Sequence, residues 1–221
     1  SAELLERLFV VRKPILEALM KRVKALGRTP SPHHTLLVGP RGAGKTHLIS
    51  LVYHRCKSLG KTGDGKPLRI AWLPEDPWTL VSYGRLLAAI LERVVPDFDN
   101  QKIAELELDA HIRHTSREDG PILVLAENLD QILEALGDSG QQKLRNLLQT
   151  EPDILVIATT TRLDRSLSAH AAPFFGFFDT IRLDPFSPEE AREMLTTLAR
   201  EANNSELAKR LSDNESLARI H

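Results

Sequence analysis

A chain of 221 residues with 42% hydrophobic and 27% charged residues is long enough for one α/β domain with a complete core. Its formal net charge of −1 excludes a strong overall attraction to nucleic acid or anionic membrane, although it leaves room for a local basic patch. The single cysteine, Cys56, excludes an internal disulfide and a zinc cluster built on cysteines. The apolar runs are too short for a membrane helix and the first residues lack a signal-peptide pattern. We therefore expect a cytoplasmic protein, or a nuclear one in a eukaryote, with no membrane partner.

The chain begins with a segment predicted to be helical, from Leu4 to about Leu26. Apolar residues recur there at helical spacing, and Pro14 suits a first helical turn. Turn-forming residues at 27–32 end this segment. The short apolar run 35–38 then predicts a strand. A glycine-rich loop and a helix follow it directly.

Further along the chain, strands and helices alternate. Strands are predicted at 68–73, 122–126, 154–158 and 180–183, and helices at 46–58, 82–95, 141–149 and from Ser187 onward. The runs 122–126 and 154–158 are almost wholly apolar, as is typical of strands buried on both faces. Residues 97–119 are polar and are not assigned. The alternation predicts an α/β fold in which helices cover both faces of a parallel sheet.

The loop after the first strand matches the pattern G-x-x-x-x-G-K-[ST] in full. Its residues and the one that follows are Gly39, Pro40, Arg41, Gly42, Ala43, Gly44, Lys45, Thr46 and His47. Glycines let backbone N–H groups converge on phosphate oxygens, and the next helix adds its positive N-terminal end. Lys45 would reach the β- and γ-phosphates, and the Thr46 hydroxyl would bind Mg²⁺. The sequence therefore predicts a P-loop protein that binds a nucleoside triphosphate.

A P-loop site also needs an acidic residue at the end of a second strand, to hold the metal and orient water. The run 122–126 supplies one, because Glu127, Asn128, Leu129 and Asp130 follow it. In the register marked by Asp130, Glu127 takes the metal-binding position and Asn128 the position of the catalytic carboxylate. In the other register, Ala126 replaces the metal-binding aspartate and Glu127 is the base. We favour the first register, in which Asn128 cannot accept a proton as a carboxylate does; both registers predict slow hydrolysis.

Other polar residues are candidates for the same chemistry. The strand 154–158 is followed by Thr159, Thr160 and Thr161, and a hydroxyl there could contact the γ-phosphate or the attacking water. Threonine is also simply a common strand residue, so none of the three positions decides the matter alone. Arg145, Arg162 and Arg165 are candidates for an arginine finger on a neighbouring subunit's nucleotide. Most surface arginines have no such role.

Histidines give no sign of a metal site. His33 and His34 precede the first strand without a nearby cysteine or a suitably placed carboxylate. We expect both side chains to be solvated.

Taken in order, these motifs resemble an AAA+ ATPase of the branch that includes origin-recognition initiators, transposition regulators and STAND-type signalling NTPases. The segment with Val10, Val11 and Arg12 is similar to the motif whose backbone holds the adenine, although glycine is usual where Val11 stands. In this resemblance Thr160 takes the sensor-1 position. The usual Ser-Arg finger motif is absent, and Arg165 is its substitute. The segment 183–191 is similar to the junction into a helical lid.

The resemblance implies a nucleotide-binding core at residues 1–185 and the start of a small helical lid at 186–221, which we expect to continue beyond His221. It implies ATP and Mg²⁺ as cofactors, and a homo-oligomer or a protein as partner. The leading hypothesis is a nucleotide-dependent molecular switch with slow hydrolysis. One alternative is a DNA-associated initiator or transposition-type ATPase that oligomerises on duplex DNA, which nothing in this segment specifically supports. Another is a nucleotide-binding scaffold without turnover.

Overall fold

The computed structural model describes residues 6, 12–73, 82–99, 103–163, 167, 169–202, 204 and 211. Its helices are α1 (Lys13–Ala25), α2 (Lys45–Leu59), α3 (Tyr83–Val94), α4 (Glu105–His114), α5 (Leu129–Thr150) and α6 (Pro188–Glu201). Its strands are β1 (Thr35–Val38), β2 (Arg69–Leu73), β3 (Ile122–Ala126), β4 (Ile154–Thr160) and β5 (Asp179–Arg182). A π-helical turn, Thr115–Asp119, continues α4. Within these ranges no helix combines the length and apolar character that a membrane span requires.

The five strands form one sheet in the order β2-β3-β4-β1-β5, and every neighbouring pair is parallel. The predicted α/β class and parallel sheet are therefore confirmed. Parallel pairing brings the carboxyl ends of all strands to one edge of the sheet. Because β4 lies between β1 and β3, the loops after β1 and β3 leave this edge on either side of it. Ligands in open α/β sheets bind at such a reversal of strand order.

Helices cover both faces of the sheet. Successive strand residues point to opposite faces, so each strand contributes to two cores. One core joins α1 and α2 to Leu123, Leu125 and Ile157 and their neighbours. The other joins α3, α4 and α5 to the alternate residues of the same strands, such as Val124 and Val156. The two layers bury β3 and β4 on both faces, as their apolar sequences predicted.

Helix α4 lies in the polar stretch that the sequence left unassigned. It buries only Leu108 and Ile112, one turn apart, and Leu106 is 83% exposed. With so few apolar residues the helical period is weak, which explains the missed assignment. Helix α5 also begins earlier than predicted, at Leu129, because Gly137 has a non-helical backbone that interrupts its periodicity.

Buried charge fixes α4 against the end of α5. Glu151 is fully buried and accepts hydrogen bonds from Arg113 at 2.7 Å and from Arg117 at 2.6 and 2.8 Å. Arg113 also pairs with Asp109 within α4. Two guanidinium groups on one carboxylate compensate the desolvation that a lone buried charge would suffer. Through Arg117 this ion cluster also connects the π-helical turn to the end of α5.

The interpretation of His34 as a solvated side chain is wrong. Its ring is buried beneath Phe177, with 4.9 Å between the ring centroids, and its Nδ1 accepts the N–H of Val156 at 3.1 Å. Burial lowers the pKa of His34 from 6.5 to about 4, partly opposed by a hydrogen bond to the backbone of Leu148. His33 remains exposed and pairs with Asp179.

The His34 environment predicts a loss of stability in mild acid. In the unfolded chain this histidine takes up a proton near pH 6.5, whereas in the folded chain it does so only near pH 4. Its contribution is therefore complete above pH 6.5 and is lost as the pH falls from 6.5 to 4, by about 3 kcal/mol at most. Urea unfolding of the wild type and of His34→Gln across this range should show a flatter pH profile for the variant. The exposed His114→Gln is the matched control; equal slopes for wild type and His34→Gln would contradict the assignment.

Candidate nucleotide-binding site

The loop between β1 and α2 has the backbone of a phosphate-binding loop. Gly42 and Gly44 have φ angles of 79° and 80°, in the left-handed region that side chains disfavour. A Cβ on Gly39 would lie 2.3 Å from the carbonyl oxygen of Leu183, so only glycine allows this approach to the end of β5. A Cβ on Gly42 would meet nothing within 4 Å, so the loop backbone borders open space. The loop therefore fits a phosphate chain at the N-terminus of α2.

Lys45 is the first residue of α2, and its side chain turns back over the loop. Its Nζ donates to the carbonyl oxygens of Gly39 at 2.6 Å and Pro40 at 2.8 Å. Burial lowers the pKa of Lys45, and the carboxylates of Asp130 and Glu127 oppose that shift. The loop thus holds an ammonium group at its centre, where it can neutralise phosphate oxygens.

The acidic end of β3 contacts the loop through one short hydrogen bond. The hydroxyl of Thr46 donates to Oε2 of Glu127 at 2.5 Å, and Glu127 is 5% exposed. A threonine hydroxyl and a carboxylate are oxygen ligands of the kind that Mg²⁺ takes, together with water and phosphate. This contact is what the first register requires. Ala126, the metal-binding position in the second register, is buried inside β3 and has no polar side-chain atom.

Asn128 sits directly beside this pair, before the first residue of α5. Its backbone is left-handed, with φ 51°, and its N–H donates to the hydroxyl of Thr159 at 3.3 Å. Asp130 lies in the first turn of α5, and its Oδ1 is buried without a hydrogen-bond partner among the described residues. The turn after β3 is therefore tied to the end of β4.

A cavity of about 450 Å³ opens where the loop, β3 and β4 meet. Its walls are formed by Arg41, Gly42, Gly44, Lys45, Thr46, His47, Glu127, Asn128, Thr159 and Thr161. Most of the predicted loop residues are thus brought together with Glu127 and Asn128. At its rim Arg41 is exposed and His47 is partly buried. The cavity joins the three groups that triphosphate and Mg²⁺ binding need: loop N–H groups, an ammonium and a carboxylate.

Thr160, the residue at the sensor-1 position of the resemblance, does not line the cavity. Thr160 is fully buried and its hydroxyl donates to the carbonyl oxygen of Arg162 at 2.8 Å, whereas Thr159 and Thr161 line the cavity. Side chains alternate between the two faces of the sheet along β4, so Thr160 points the opposite way from its neighbours. Thr159 has the same parity as Ile157, which packs in the core of α2, the helix after the loop. That parity was the signal in the sequence that identifies the cavity-lining threonine.

Other predicted residues lie outside the cavity lining. Val10, Val11 and Arg165 fall outside the described residues. Arg12 contacts the loop without lining the cavity: its Nη1 donates to the carbonyl oxygen of Ala43 at 2.5 Å. Arg145 is held within its own chain, because it donates to the carbonyl oxygen of Pro173 and lies 5.4 Å from the ring of Phe177. Arg162 is exposed beyond the end of β4.

Comparison with known proteins gives a consistent picture. No family model matches the chain. The Holliday junction branch migration complex subunit RuvB of Tropheryma whipplei, in strains TW08/27 and Twist, is 31% identical over 185 residues. That match covers 84% of this chain and 46% of the relative, so the chain spans about half the length of the curated proteins it matches.

Solved structures share the fold at low sequence identity. The ORC2 protein of Aeropyrum pernix in ADPNP-ADP complexes has a TM-score of 0.70 and 15% identity, covering 86% of this chain and 52% of that one. The ORC1 protein of the same organism, in complex with DNA, has a TM-score of 0.65 and 19% identity; the match covers 86% of this chain and 50% of that one. AMPPCP-bound DnaA of Aquifex aeolicus has a TM-score of 0.51 and 14% identity; the match covers 95% of this chain and 60% of that one. The fold that the resemblance to AAA+ ATPases of the origin-recognition branch implies is thereby confirmed: this chain has the fold of the ORC proteins and DnaA.

Proposed function

We propose that this protein binds ATP with Mg²⁺ in the cavity between the phosphate loop and the end of β3, and acts as a nucleotide-dependent switch with slow hydrolysis. The observation that carries the proposal is the Thr46–Glu127 hydrogen bond next to the buried ammonium of Lys45. It places an oxygen pair for a divalent cation beside a cation for phosphate. Solved structures of the same fold are named for ADP, ADPNP and AMPPCP, which supports adenine nucleotides.

Each residue of the site has a separate task in this proposal. Lys45 exchanges its bonds to the carbonyl oxygens of Gly39 and Pro40 for bonds to the β- and γ-phosphate oxygens. Thr46 and Glu127 would hold Mg²⁺, which would neutralise charge on the phosphate oxygens. The backbone N–H groups of the loop and the N-terminus of α2 orient the phosphate chain.

Slow hydrolysis follows from the residue after Glu127. Asn128 lines the cavity where a carboxylate would accept a proton from the attacking water. An amide can position a water molecule but cannot take its proton. The bound triphosphate therefore persists long enough for its binding energy to stabilise one conformation over another, which is the condition for a switch.

A second candidate is a nucleotide-dependent protein that assembles on DNA. It is favoured by the name of one structure with this fold, which is in complex with DNA, and by the Holliday-junction subunit among the relatives. The net charge of −1 gives this segment no general affinity for DNA. Binding to a DNA duplex that requires ATP and weakens with salt would favour this candidate over a switch that acts on protein partners. ATP binding with no turnover would instead favour a scaffold.

The role of Lys45 predicts that Lys45→Ala weakens ATP binding by roughly tenfold to a hundredfold, since charge-assisted hydrogen bonds to phosphate are lost. Titration with a fluorescent ATP analogue in the presence of Mg²⁺ measures this directly. Lys57→Ala is the matched control, because Lys57 lies at the other end of the same helix and is exposed. Equal affinities for Lys45→Ala and the wild type would overturn the proposed site.

The role of Asn128 predicts that Asn128→Glu raises the single-turnover rate of ATP hydrolysis about tenfold or more, because it supplies a proton acceptor at the cavity wall. Release of γ-phosphate from a prebound radiolabelled ATP measures the rate. Asn128→Asp, which also adds charge but has a shorter reach, separates proton transfer from a general electrostatic effect. If neither carboxylate changes the rate while ATP still binds, slow hydrolysis has another cause.

A further inference from the structure

Arg12 joins three parts of the molecule that are far apart in the sequence. It precedes α1, and its own carbonyl oxygen accepts the N–H groups of Ile15 and Leu16, which fixes its backbone to that helix. Its side chain reaches the phosphate loop and the segment after β5. We infer that Arg12 is a positioning residue that couples the phosphate loop to helix α6, so that a nucleotide bound at the loop orients α6. This inference rests on the proposed function, because it needs the loop to bind ATP.

The guanidinium group bridges two carbonyl oxygens. Nη1 donates to the carbonyl oxygen of Ala43 in the loop, and Nη2 donates to that of Asp184 beyond β5, each at 2.5 Å. The planar fork of arginine holds two acceptors at a fixed separation, which the single ammonium of lysine does not do. The loop and the segment after β5 are therefore kept at one spacing by one side chain.

An aromatic ring completes the bridge. The guanidinium carbon of Arg12 lies 4.6 Å from the centroid of Phe186, within the range of a cation–π contact. The same ring faces the loop: its Cζ is 3.4 Å from the position that a Cβ on Gly44 would occupy. Phe186 thus packs between Arg12 and the left-handed glycine that precedes Lys45.

The segment that Arg12 contacts, Asp184 to Phe186, leads directly into α6. Ser187 is the N-cap of α6, and its hydroxyl accepts the N–H of Glu190 while its own N–H donates to the Glu190 carboxylate. The carboxylates of Glu190 and Asp184 also lie near enough to Arg12 to favour its charged form, against the burial that lowers its pKa. The capping box therefore fixes the backbone between Phe186 and the first turn of α6.

These contacts make the loop and α6 energetically dependent on each other. A shift of Ala43 or Gly44 when phosphate binds must move the Arg12 fork or the Phe186 ring, and either movement is passed to Ser187. Coupling free energies of this type change affinities by fivefold or more, and they act equally in both directions. A change in α6 should therefore alter ATP affinity, just as ATP alters α6.

Hydrogen exchange with and without ATP·Mg²⁺ tests the coupling. In the wild type, ATP should slow exchange in the phosphate loop and also in the first turns of α6. In Arg12→Lys, ATP should still slow exchange in the loop, but protection of α6 should fall at least threefold, and ATP affinity should fall about fivefold. Phe186→Leu should weaken the protection of α6 in the same direction.

Arg22→Lys is the matched control. Arg22 belongs to α1, and its Nη1 contacts the hydroxyl of Thr35 and the carboxylate of Asp179, but these residues lie at the opposite ends of β1 and β5 from the loop. It should leave the response of α6 to ATP unchanged. If Arg12→Lys retains the full protection of α6, the coupling is overturned while ATP binding stands. If the wild-type loop shows no protection by ATP, the proposed function itself fails, and the inference fails with it.

Discussion

The parallel pairing of β4 with both β1 and β3 is the constraint on which the site depends. It sets the distance between the loop after β1 and the carboxylate after β3 at the width of one strand, which lets Thr46 reach Glu127. The pairing is stable because β3 and β4 are buried on both faces by two helical layers. The polar side chains of the cavity are thus positioned by apolar core residues of the strands that carry them. A change in their register would separate the loop from its carboxylate.

Most of the framework could be predicted because its signals are local. The buried strands are continuous apolar runs, and the phosphate loop is a fixed pattern between a strand and a helix. The polar stretch before β3 gives no such signal, since its Arg113 and Arg117 are held by Glu151, which lies 34 to 38 residues further along the chain. His34 was misjudged for the same reason: the ring of Phe177, which covers it, arrives from beyond β4.

The candidate site shows where sequence reasoning stops. The sequence leaves two registers open for the residues after β3, and the contact of Glu127 with Thr46 fits the register in which Glu127 binds the metal. The resemblance points to Thr160, whereas Thr159 and Thr161 line the cavity, because side chains alternate along β4. Arg12 was noted through a family motif that concerns the backbone. Its side-chain fork spans residues 43 to 184 and has no sequence signature.

The left-handed backbone of Asn128 has an evolutionary consequence. Asparagine is one of the few residues that adopt a positive φ readily, whereas most others lose roughly 1 kcal/mol or more there. A lineage that placed glutamate here would have to accept that strain or rebuild the turn into α5, whereas aspartate tolerates a positive φ much as asparagine does. The same turn carries the N–H that holds Thr159, so rebuilding would disturb the end of β4 as well. The backbone of this turn thus favours asparagine independently of any role in catalysis.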